Sequence, residues 1–127
     1  MVYKGGSNAM KIEFQKKSYT LIIKIQGEID HHCATELKQK IEKEFQKSDA
    51  KNIIFDFEQV TFMDSSGIGM LIGRYKYALA YGGKTAVANA NERVLKIFQM
   101  AGMQKIIPQY TSITEALKAM GGVENAV

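Results

Sequence analysis

The chain of 127 residues is 46% hydrophobic and 24% charged, which suits a single compact domain with its own core. Its one cysteine, Cys33, excludes an intrachain disulfide, and no apolar run approaches the ~20 residues needed to cross a bilayer. We therefore expect a cytoplasmic protein without a membrane partner. The formal net charge of +4 comes from lysines scattered among acidic residues, a pattern typical of a solvated surface rather than a nucleic-acid site.

Residues 1–9 differ in character from the rest of the chain. They contain the small, polar run Gly-Gly-Ser-Asn-Ala and are interpreted as a cloning remnant outside the fold. The remaining residues show neither an internal repeat nor a linker. The sequence therefore predicts one domain over residues 10–122, followed by a tail at residues 123–127.

The domain begins with a pattern typical of a β-hairpin. Residues 11–17 alternate apolar and polar side chains, and residues 18–27 form a second, more apolar strand after a short polar link. Asp30 then precedes a helical pattern and is predicted to be the N-cap of that helix. The apolar stripe of the helix consists of Ala34, Leu37, Ile41 and Phe45.

The middle of the chain predicts two strands on either side of a helix. Residues 52–57 form a short apolar run, which indicates a buried strand, and residues 84–88 form the strand after the helix. Gly82 and Gly83 end the helix. Its predicted inward positions are Ile68, Leu71, Ile72, Tyr75 and Leu79.

The last part of the chain predicts two helices separated by a short strand. Asn91 caps the first helix. Residues 105–110 form a strand that Pro108 ends, and Ser112 and Glu115 form a capping box at the start of the last helix. The predicted inward positions of the first helix are Val94, Leu95, Phe98 and Ala101.

The order of these elements predicts the fold class. Strands and helices follow one another as β-β-α-β-α-β-α-β-α. Because alternating strands and helices form crossover connections, the pattern indicates an α/β domain with a mixed, mostly parallel sheet.

Residues 62–71, Phe-Met-Asp-Ser-Ser-Gly-Ile-Gly-Met-Leu, combine a carboxylate, two hydroxyls and two glycines at the start of a helix. Asp64 or Ser65 can cap this helix by accepting hydrogen bonds from its free N–H groups. Gly67 and Gly69 each cost a helix roughly 1 kcal/mol relative to alanine, which indicates that another backbone or a bulky group approaches closely. The motif therefore predicts a docking surface at a helix N-terminus. Its apolar rim would be formed by Ile68 and Met70.

The same position suits a switch by phosphorylation. The dipole and the free N–H groups of a helix N-terminus favour an anion, so a phosphate on one of the two serines would be compatible with the fold. It would add about −1.5 to −2 charges beside Asp64, in the middle of the docking surface. We therefore expect phosphorylation to block docking.

A serine hydrolase is a weaker interpretation of the motif. The nucleophile elbow of such enzymes reads Gly-x-Ser-x-Gly, whereas Asp64 and Ile68 occupy the glycine positions around Ser66. A catalytic triad would also need His31 or His32, and nothing in the spacing brings either histidine to the serine. We therefore expect no catalytic residue, with a small serine hydrolase kept as an alternative.

Two further sites are suggested by short motifs. Residues 30–33, Asp-His-His-Cys, are consecutive and fan around a turn, whereas zinc ligands usually stand at separated positions, so we expect no metal. Residues 82–85, Gly-Gly-Lys-Thr, lack the Walker A glycine at Ala78 and follow a helix rather than a strand. We expect no cofactor on this chain, with a nucleotide-binding domain as the second alternative.

Three segments resemble the STAS domain family and, within it, the stage II sporulation anti-sigma factor antagonists. They are residues 27–42, 62–76 and 94–107, and the likeness spans about Met10 to Met120. The adjacent histidines after Gly-Glu-Ile-Asp narrow the resemblance to the sporulation group. The resemblance implies a small mixed sheet with helices packed mainly on one face.

The resemblance also implies a regulatory function without enzyme activity. The unphosphorylated form would bind an anti-sigma factor that is also a serine kinase and so release the sporulation sigma factor. The kinase would supply ATP and phosphorylate Ser66, and a serine phosphatase would restore the active form. The motif position favours Ser66, although the chemistry of the residues leaves Ser65 open. The expected partner-binding residues are Asp30, Asp64, Ser65, Ser66, Gly67, Ile68 and Met70.

Overall fold

The computed structural model describes residues 10–121 and the backbone of residues 2–4. The predicted leader lies mostly, and the predicted tail entirely, outside this described part. Within it, one strand that was not predicted comes first, and the elements that follow it have the predicted order. A short 3-10 turn (Met103–Lys105) precedes the last strand. In chain order they are β1 (Val2–Lys4), β2 (Lys11–Lys17), β3 (Thr20–Ile29), α1 (Ala34–Ser48), β4 (Asn52–Met63), α2 (Ser65–Ala80), β5 (Thr85–Ala88), α3 (Glu92–Met100), β6 (Gln109–Tyr110) and α4 (Ile113–Met120).

Within residues 2–4 and 10–121, six strands form one sheet in the order of the chain. β1, β2 and β3 pair antiparallel, whereas β3 to β6 pair parallel. Each parallel connection contains at least one helix, as a crossover requires. The mixed, mostly parallel sheet of the prediction is confirmed. The backbone of residues 2–4 also joins the sheet, and its interpretation as a cloning remnant stays a prediction.

The helices of the described chain cover the two faces of the sheet unequally. The helices α1, α2 and α3 pack on one face and form the main core, while α4 packs alone on the other. The strand β4 shows how the sequence produces this arrangement, because its side chains alternate between faces. Ile53 and Phe55 enter the main core, and Ile54 enters the smaller one with Leu117. The expected packing of helices mainly on one face is confirmed.

Helix α1 begins later than the sequence predicts. Its N-cap is Cys33, not Asp30, and Cys33 makes no capping hydrogen bond with its side chain. The carbonyl of Asp30 accepts from the N–H of Cys33 (3.2 Å) and Ala34 (3.0 Å), and its Oδ1 accepts from the N–H of His32 (3.0 Å). Asp30 therefore closes a turn before the helix. Aspartate is common both at helix N-caps and in turns, because in each its carboxylate accepts hydrogen bonds from nearby backbone N–H groups.

The strand predicted at residues 105–110 is mostly a turn. The N–H groups of Ile106 and Ile107 both donate to the carbonyl of Met103 (2.9 Å each), so local hydrogen bonds replace a strand ladder here. The strand β6 contains only two residues, and Pro108 precedes it instead of ending it. Proline lacks an N–H group and so cannot donate to a strand ladder, which suits a position just before an edge strand.

Two predicted inward positions are exposed. Leu79 is 55% exposed because the buried side of α2 runs through Leu71, Arg74 and Ala78 instead. Ala101 is exposed because α3 ends at Met100, which leaves Ala101 as its C-cap.

Candidate functional site

The strands β3 and β4 end side by side at the carboxyl edge of the parallel sheet. Their last residues, Ile29 and Met63, are register partners, and the N–H of Asp64 donates to the carbonyl of Ile29 (3.2 Å). Asp30 and Asp64 therefore leave the sheet at the same edge. Ligand sites of α/β sheets commonly lie at this edge. The fold thus brings the Asp-Ser-Ser-Gly motif next to the turn that begins at Asp30.

Asp64 is the N-cap of α2. Its Oδ1 accepts from the N–H of Ser66 (2.9 Å) and Gly67 (3.1 Å), and its carbonyl accepts from the N–H of Ile68 (3.0 Å). The helix begins at Ser65, so capping explains why a carboxylate stands at this position. The sequence predicts free N–H groups for an added phosphate at this helix start, but those of Ser66 and Gly67 are already occupied.

Each aspartate is paired with one histidine of the turn between β3 and α1. Asp64 Oδ2 accepts from the N–H of His31 (3.1 Å) and lies 3.3 Å from its ring Nδ1. Asp30 accepts from the N–H of His32 (3.0 Å), and its Oδ2 lies 3.6 Å from the ring Nδ1. The two rings contact each other with centroids 4.0 Å apart. His31 thus connects this turn to the cap of the helix that carries the serines.

The surroundings of both aspartates favour the carboxylate form. Partial burial raises the pKa of Asp64, but hydrogen bonds from Gly67, His31 and Ser66 outweigh it and hold the pKa below its ordinary value. Burial likewise raises the pKa of Asp30, and the hydrogen bonds and charge of His32 lower it by more. Both groups are therefore ionised near neutral pH, so the edge that carries the serines presents two carboxylates.

The two glycines of the motif have different surroundings. A Cβ on Gly67 would lie 2.4 Å from the carbonyl oxygen of Ile29 and 2.6 Å from Met63 Cγ, so this glycine lets α2 approach the ends of the strands. No heavy atom lies within 4 Å of the corresponding position at Gly69. Close approach was predicted at both positions. It is confirmed at Gly67, where the approaching backbone belongs to the same chain, and packing within the described chain does not account for Gly69.

A shallow groove of about 320 Å³ lies between α1 and α2. On α2 it follows Ser66, Gly69 and Gly73, which share one face because they stand three and seven residues apart. Ser66 therefore belongs to this groove as well as to the carboxyl edge. The lining residues are Ala34, Thr35, Lys38, Ser66, Gly69, Met70, Gly73 and Arg74.

Arg74 is a buried cation on the wall of the groove. Its side chain is 7% exposed, and its Nη2 pairs with Oε2 of Glu42 on α1 at 2.8 Å. Its Nε is buried and has no hydrogen-bond partner within the described residues. An unsatisfied buried donor costs about 1–3 kcal/mol. Burial lowers the pKa of Arg74, and the charge of Glu42 counteracts this effect.

The predicted site residues divide into an accessible and a buried group. Asp30, Asp64 and Ser66 are half-buried at the carboxyl edge, and Ser65 is exposed there. By contrast, Met70 is 5% exposed and belongs to the main core. Gly67 is buried and Ile68 packs against the core.

Several groups at the site were not predicted from the sequence. Their place in the site became visible only when the packing of the turn and of the two helices was known, although all of them lie in segments that carry the family resemblance. These residues are His31, Thr35, Lys38, Gly73 and Arg74.

The geometry lends no support to the alternative sites. Among the described residues, neither histidine hydrogen-bonds the Ser66 hydroxyl, and no group of three or more His, Cys, Asp or Glu side chains could hold a metal ion. The Cys33 thiol is buried and directed to the carbonyl of Glu28 (3.4 Å). Gly82 and Gly83 connect the end of α2 to β5, the reverse of the strand-to-helix order of a phosphate-binding loop.

Comparison with known proteins identifies the family. A model of the STAS domain matches residues 11–116. This chain is a member of the STAS domain family. The anti-sigma F factor antagonist of Paenibacillus polymyxa is 33% identical to this STAS domain over 108 residues, which cover 85% of the chain and 92% of that protein.

Solved structures show the same likeness. The anti-sigma factor antagonist SpoIIAA in its unphosphorylated form is 30% identical, with a TM-score of 0.73 over 85% of this STAS domain and 94% of that chain. The Bacillus cell fate determinant SpoIIAA in its phosphorylated form is 29% identical, with a TM-score of 0.65 over 85% of this domain and 97% of that chain. In the described part of this STAS domain, every helix is too short or too polar to cross a membrane.

Proposed function

We propose that this STAS domain is an anti-sigma factor antagonist of the sporulation type that acts in the cytoplasm. In its unphosphorylated form it binds an anti-sigma factor and so releases the sigma factor that this partner holds. The names of similar proteins support the proposal, because the Paenibacillus polymyxa relative and SpoIIAA are both antagonists of this kind and align over more than nine-tenths of their length.

One observation carries the proposal. Ser66 stands at the junction of the carboxyl edge and the α1–α2 groove, two residues after the Asp64 cap, and no histidine among the described residues hydrogen-bonds its hydroxyl. A hydroxyl in this position suits modification by another protein rather than catalysis by this chain. Asp30 and Ser65 lie at the same edge and would contact the partner there. Gly67, Ile68 and Met70 would support the surface from below.

Phosphorylation of Ser66 is the proposed switch. The anti-sigma factor acts as a serine kinase: Ser66 Oγ attacks the γ-phosphorus of ATP, the bond to the bridging oxygen breaks, ADP leaves and the hydroxyl proton is released. A serine phosphatase reverses the modification, as water attacks the phosphorus and inorganic phosphate leaves. The phosphate brings about −1.5 to −2 charges. Asp64 is ionised and already accepts hydrogen bonds from the N–H groups of Ser66 and Gly67, so these groups do not neutralise the phosphate. The new charge therefore faces the partner and weakens docking.

Incubation with ATP and a purified anti-sigma F factor tests the proposal, with intact mass and peptide mapping as the readout. We expect one phosphate, located on Ser66. Ser66→Ala should still bind the partner but accept no phosphate. Ser65→Ala is the matched control because it removes the neighbouring hydroxyl, and it should be phosphorylated. Phosphate on Ser65, or none with a kinase that modifies a control substrate, would contradict the assignment.

A further inference from the structure

His31 links two parts of the carboxyl edge that are far apart in the sequence. It belongs to the turn between β3 and α1, where its backbone N–H donates to Asp64 Oδ2 (3.1 Å) and its ring Nδ1 lies 3.3 Å from the same oxygen. Asp64 Oδ1 in turn accepts from the N–H of Ser66 (2.9 Å). A chain of hydrogen bonds therefore runs from the His31 ring through the Asp64 carboxylate to the backbone of the proposed acceptor serine.

The two oxygens of Asp64 have separate partners. Oδ1 caps α2 through the N–H groups of Ser66 and Gly67, whereas the described hydrogen bonds to Oδ2 come from His31. The terminal torsion of an aspartate side chain is broad, so a carboxylate held through one oxygen can still turn. Binding of the second oxygen restricts that turn. His31 thus restrains the cap that orients the first turn of α2.

Repulsion between the two carboxylates of the edge gives this restraint a purpose. Asp30 and Asp64 are both ionised, so their like charges oppose the approach of the β3–α1 turn to α2. His32 pairs with Asp30 two residues away, within the turn itself. His31 instead reaches Asp64, 33 residues away, and so connects the turn to the helix. It therefore holds the two parts of the edge together against the repulsion.

The pairing with Asp64 also determines which ring nitrogen of His31 carries a hydrogen. An ionised carboxylate can only accept, so Nδ1 is the donor to Asp64 Oδ2. Protonation of the ring leaves this donor in place, and the link persists in both charge states of His31. The His31 side chain is 66% exposed, so water competes for the bond and its loss should have a moderate effect.

We infer that His31 is a positioning residue for the phosphorylation of Ser66. Through Asp64 it holds the first turn of α2, and with it the Ser66 hydroxyl, in a fixed place relative to the turn that carries Asp30. The kinase then meets the acceptor in a preorganised position, which raises the rate of phosphoryl transfer rather than the affinity. This inference rests on the proposed function and adds a residue that orients the acceptor.

Single-turnover phosphorylation by a purified anti-sigma F factor, at saturating kinase and ATP, tests the inference. His31→Ala removes the ring donor and keeps the backbone N–H, so the rate should fall roughly three- to tenfold, as expected for one exposed hydrogen bond. His31→Asn carries an amide N–H donor as far from the backbone as Nδ1, and it should keep the rate within about twofold. A rate for His31→Asn as low as that for His31→Ala would overturn the inference.

His32→Ala is the matched control for loss of an exposed imidazole. It removes the neighbouring ring of the same turn, which pairs with Asp30 and not with Asp64. Its rate of phosphorylation should stay within about twofold of that of the unmodified chain. Thermal unfolding checks that every variant is folded at the temperature of the assay. An equal fall in rate for His31→Ala and His32→Ala would overturn the inference.

The affinity for the anti-sigma factor separates positioning from direct contact. Titration should give His31→Ala a dissociation constant within about twofold of that of the unmodified chain, because a positioning residue acts on the rate of transfer. A weaker affinity with an unchanged rate would make His31 a contact residue and overturn the inference.

The tautomer of His31 provides a measurement on the chain alone. The chain has two histidines, so in His32→Ala the remaining imidazole signals in nitrogen-15 NMR belong to His31. The neutral ring should carry its hydrogen on Nδ1, and Asp64→Ala should remove this preference. A neutral ring with its hydrogen on Nε2 would overturn the link to Asp64.

These outcomes distinguish failure of the inference from failure of the proposed function. If the unmodified chain accepts phosphate on Ser66 and His31→Ala does so at the same rate, the inference is overturned alone. If the unmodified chain accepts no phosphate on Ser66 from an active kinase, the proposed function fails and the inference falls with it.

Discussion

Replacing Gly67 by alanine should destabilise the domain, whereas the same change at Gly69 should stabilise it. A Cβ on Gly67 would lie 2.4 Å from the Ile29 carbonyl oxygen, 2.6 Å from Met63 Cγ and 3.0 Å from Ile29 Cγ2. Ordinary contacts of a Cβ begin at 3.4 Å, so helix and strand must separate by about 1 Å. Gly69 is in the same turn of the same helix with no heavy atom within 4 Å, which makes it a matched control.

The magnitude follows from two opposing effects. Alanine stabilises a helix interior by roughly 0.5–1 kcal/mol relative to glycine, and at Gly69 this gain is realised in full. At Gly67 the same gain is opposed by overpacking, which typically costs 1–3 kcal/mol, and contact with a backbone oxygen puts this site at the upper end. We therefore expect Gly67→Ala to lose about 2 kcal/mol, and the two variants to differ by about 3 kcal/mol.

Equilibrium unfolding in urea measures both variants. The midpoint should fall for Gly67→Ala and rise for Gly69→Ala, with slopes equal to that of the unmodified chain. Because the separation would also pull Asp64 away from the Ile29 carbonyl, Gly67→Ala should be a poorer kinase substrate. A Gly67→Ala variant as stable as the unmodified chain would refute the proposed reason for this glycine.

Three further predictions concern the charged groups around the site. Asp64→Ala should lower the free energy of unfolding by about 1–2 kcal/mol through loss of the N-cap, whereas Asp64→Asn, which keeps an acceptor, should lose less; urea unfolding compares them. Glu42→Ala should lower the free energy of unfolding by about 1–3 kcal/mol, which is less than for a fully buried ion pair because Glu42 is 27% exposed. Glu42→Gln should lower it by less. An unchanged midpoint of urea unfolding would contradict the stabilising role of the ion pair with Arg74. The pKa values of Asp30 and Asp64 lie below the ordinary 3.8, so their stabilisation is present above that pH and is lost as pH falls through the lowered values. Below about pH 4 the free energy of unfolding should fall less for Asp64→Asn than for the unmodified chain. An equal fall in both proteins would count against the Asp64 carboxylate as the cause.

The order of elements and the sheet type could be predicted because periodicity and turn residues are local properties. The position of Asp30 beside Asp64 could not be predicted from such local patterns, and only the family resemblance placed both residues at one partner-binding surface. The offset between register partners grows from 32 residues at Lys24 and Asp56 to 34 at Ile29 and Met63, because β4 contains irregularities opposite β3. Without them Asp30 would stand beside Phe62. Such irregularities depend on tertiary packing and leave no clear local pattern.

The candidate site was predicted in part for the same reason. The Asp-Ser-Ser-Gly helix start is a local motif, and Asp64 caps α2 as one of the two predicted candidates. Arg74 would ordinarily be assigned to a solvated helix face, since arginine is rarely buried. Its burial against α1, like the groove beside it, results from the packing of two helices that are far apart in the sequence.

Release of the sigma factor is the measurement that tests the central claim most directly. A labelled sigma F factor is bound to its anti-sigma factor, the chain is added, and fluorescence anisotropy follows the free sigma factor. We predict that the unphosphorylated chain releases the sigma factor, and that the same chain phosphorylated on Ser66 does not. Retention of the sigma factor at saturating unphosphorylated chain, or equal release by both forms, would contradict the account.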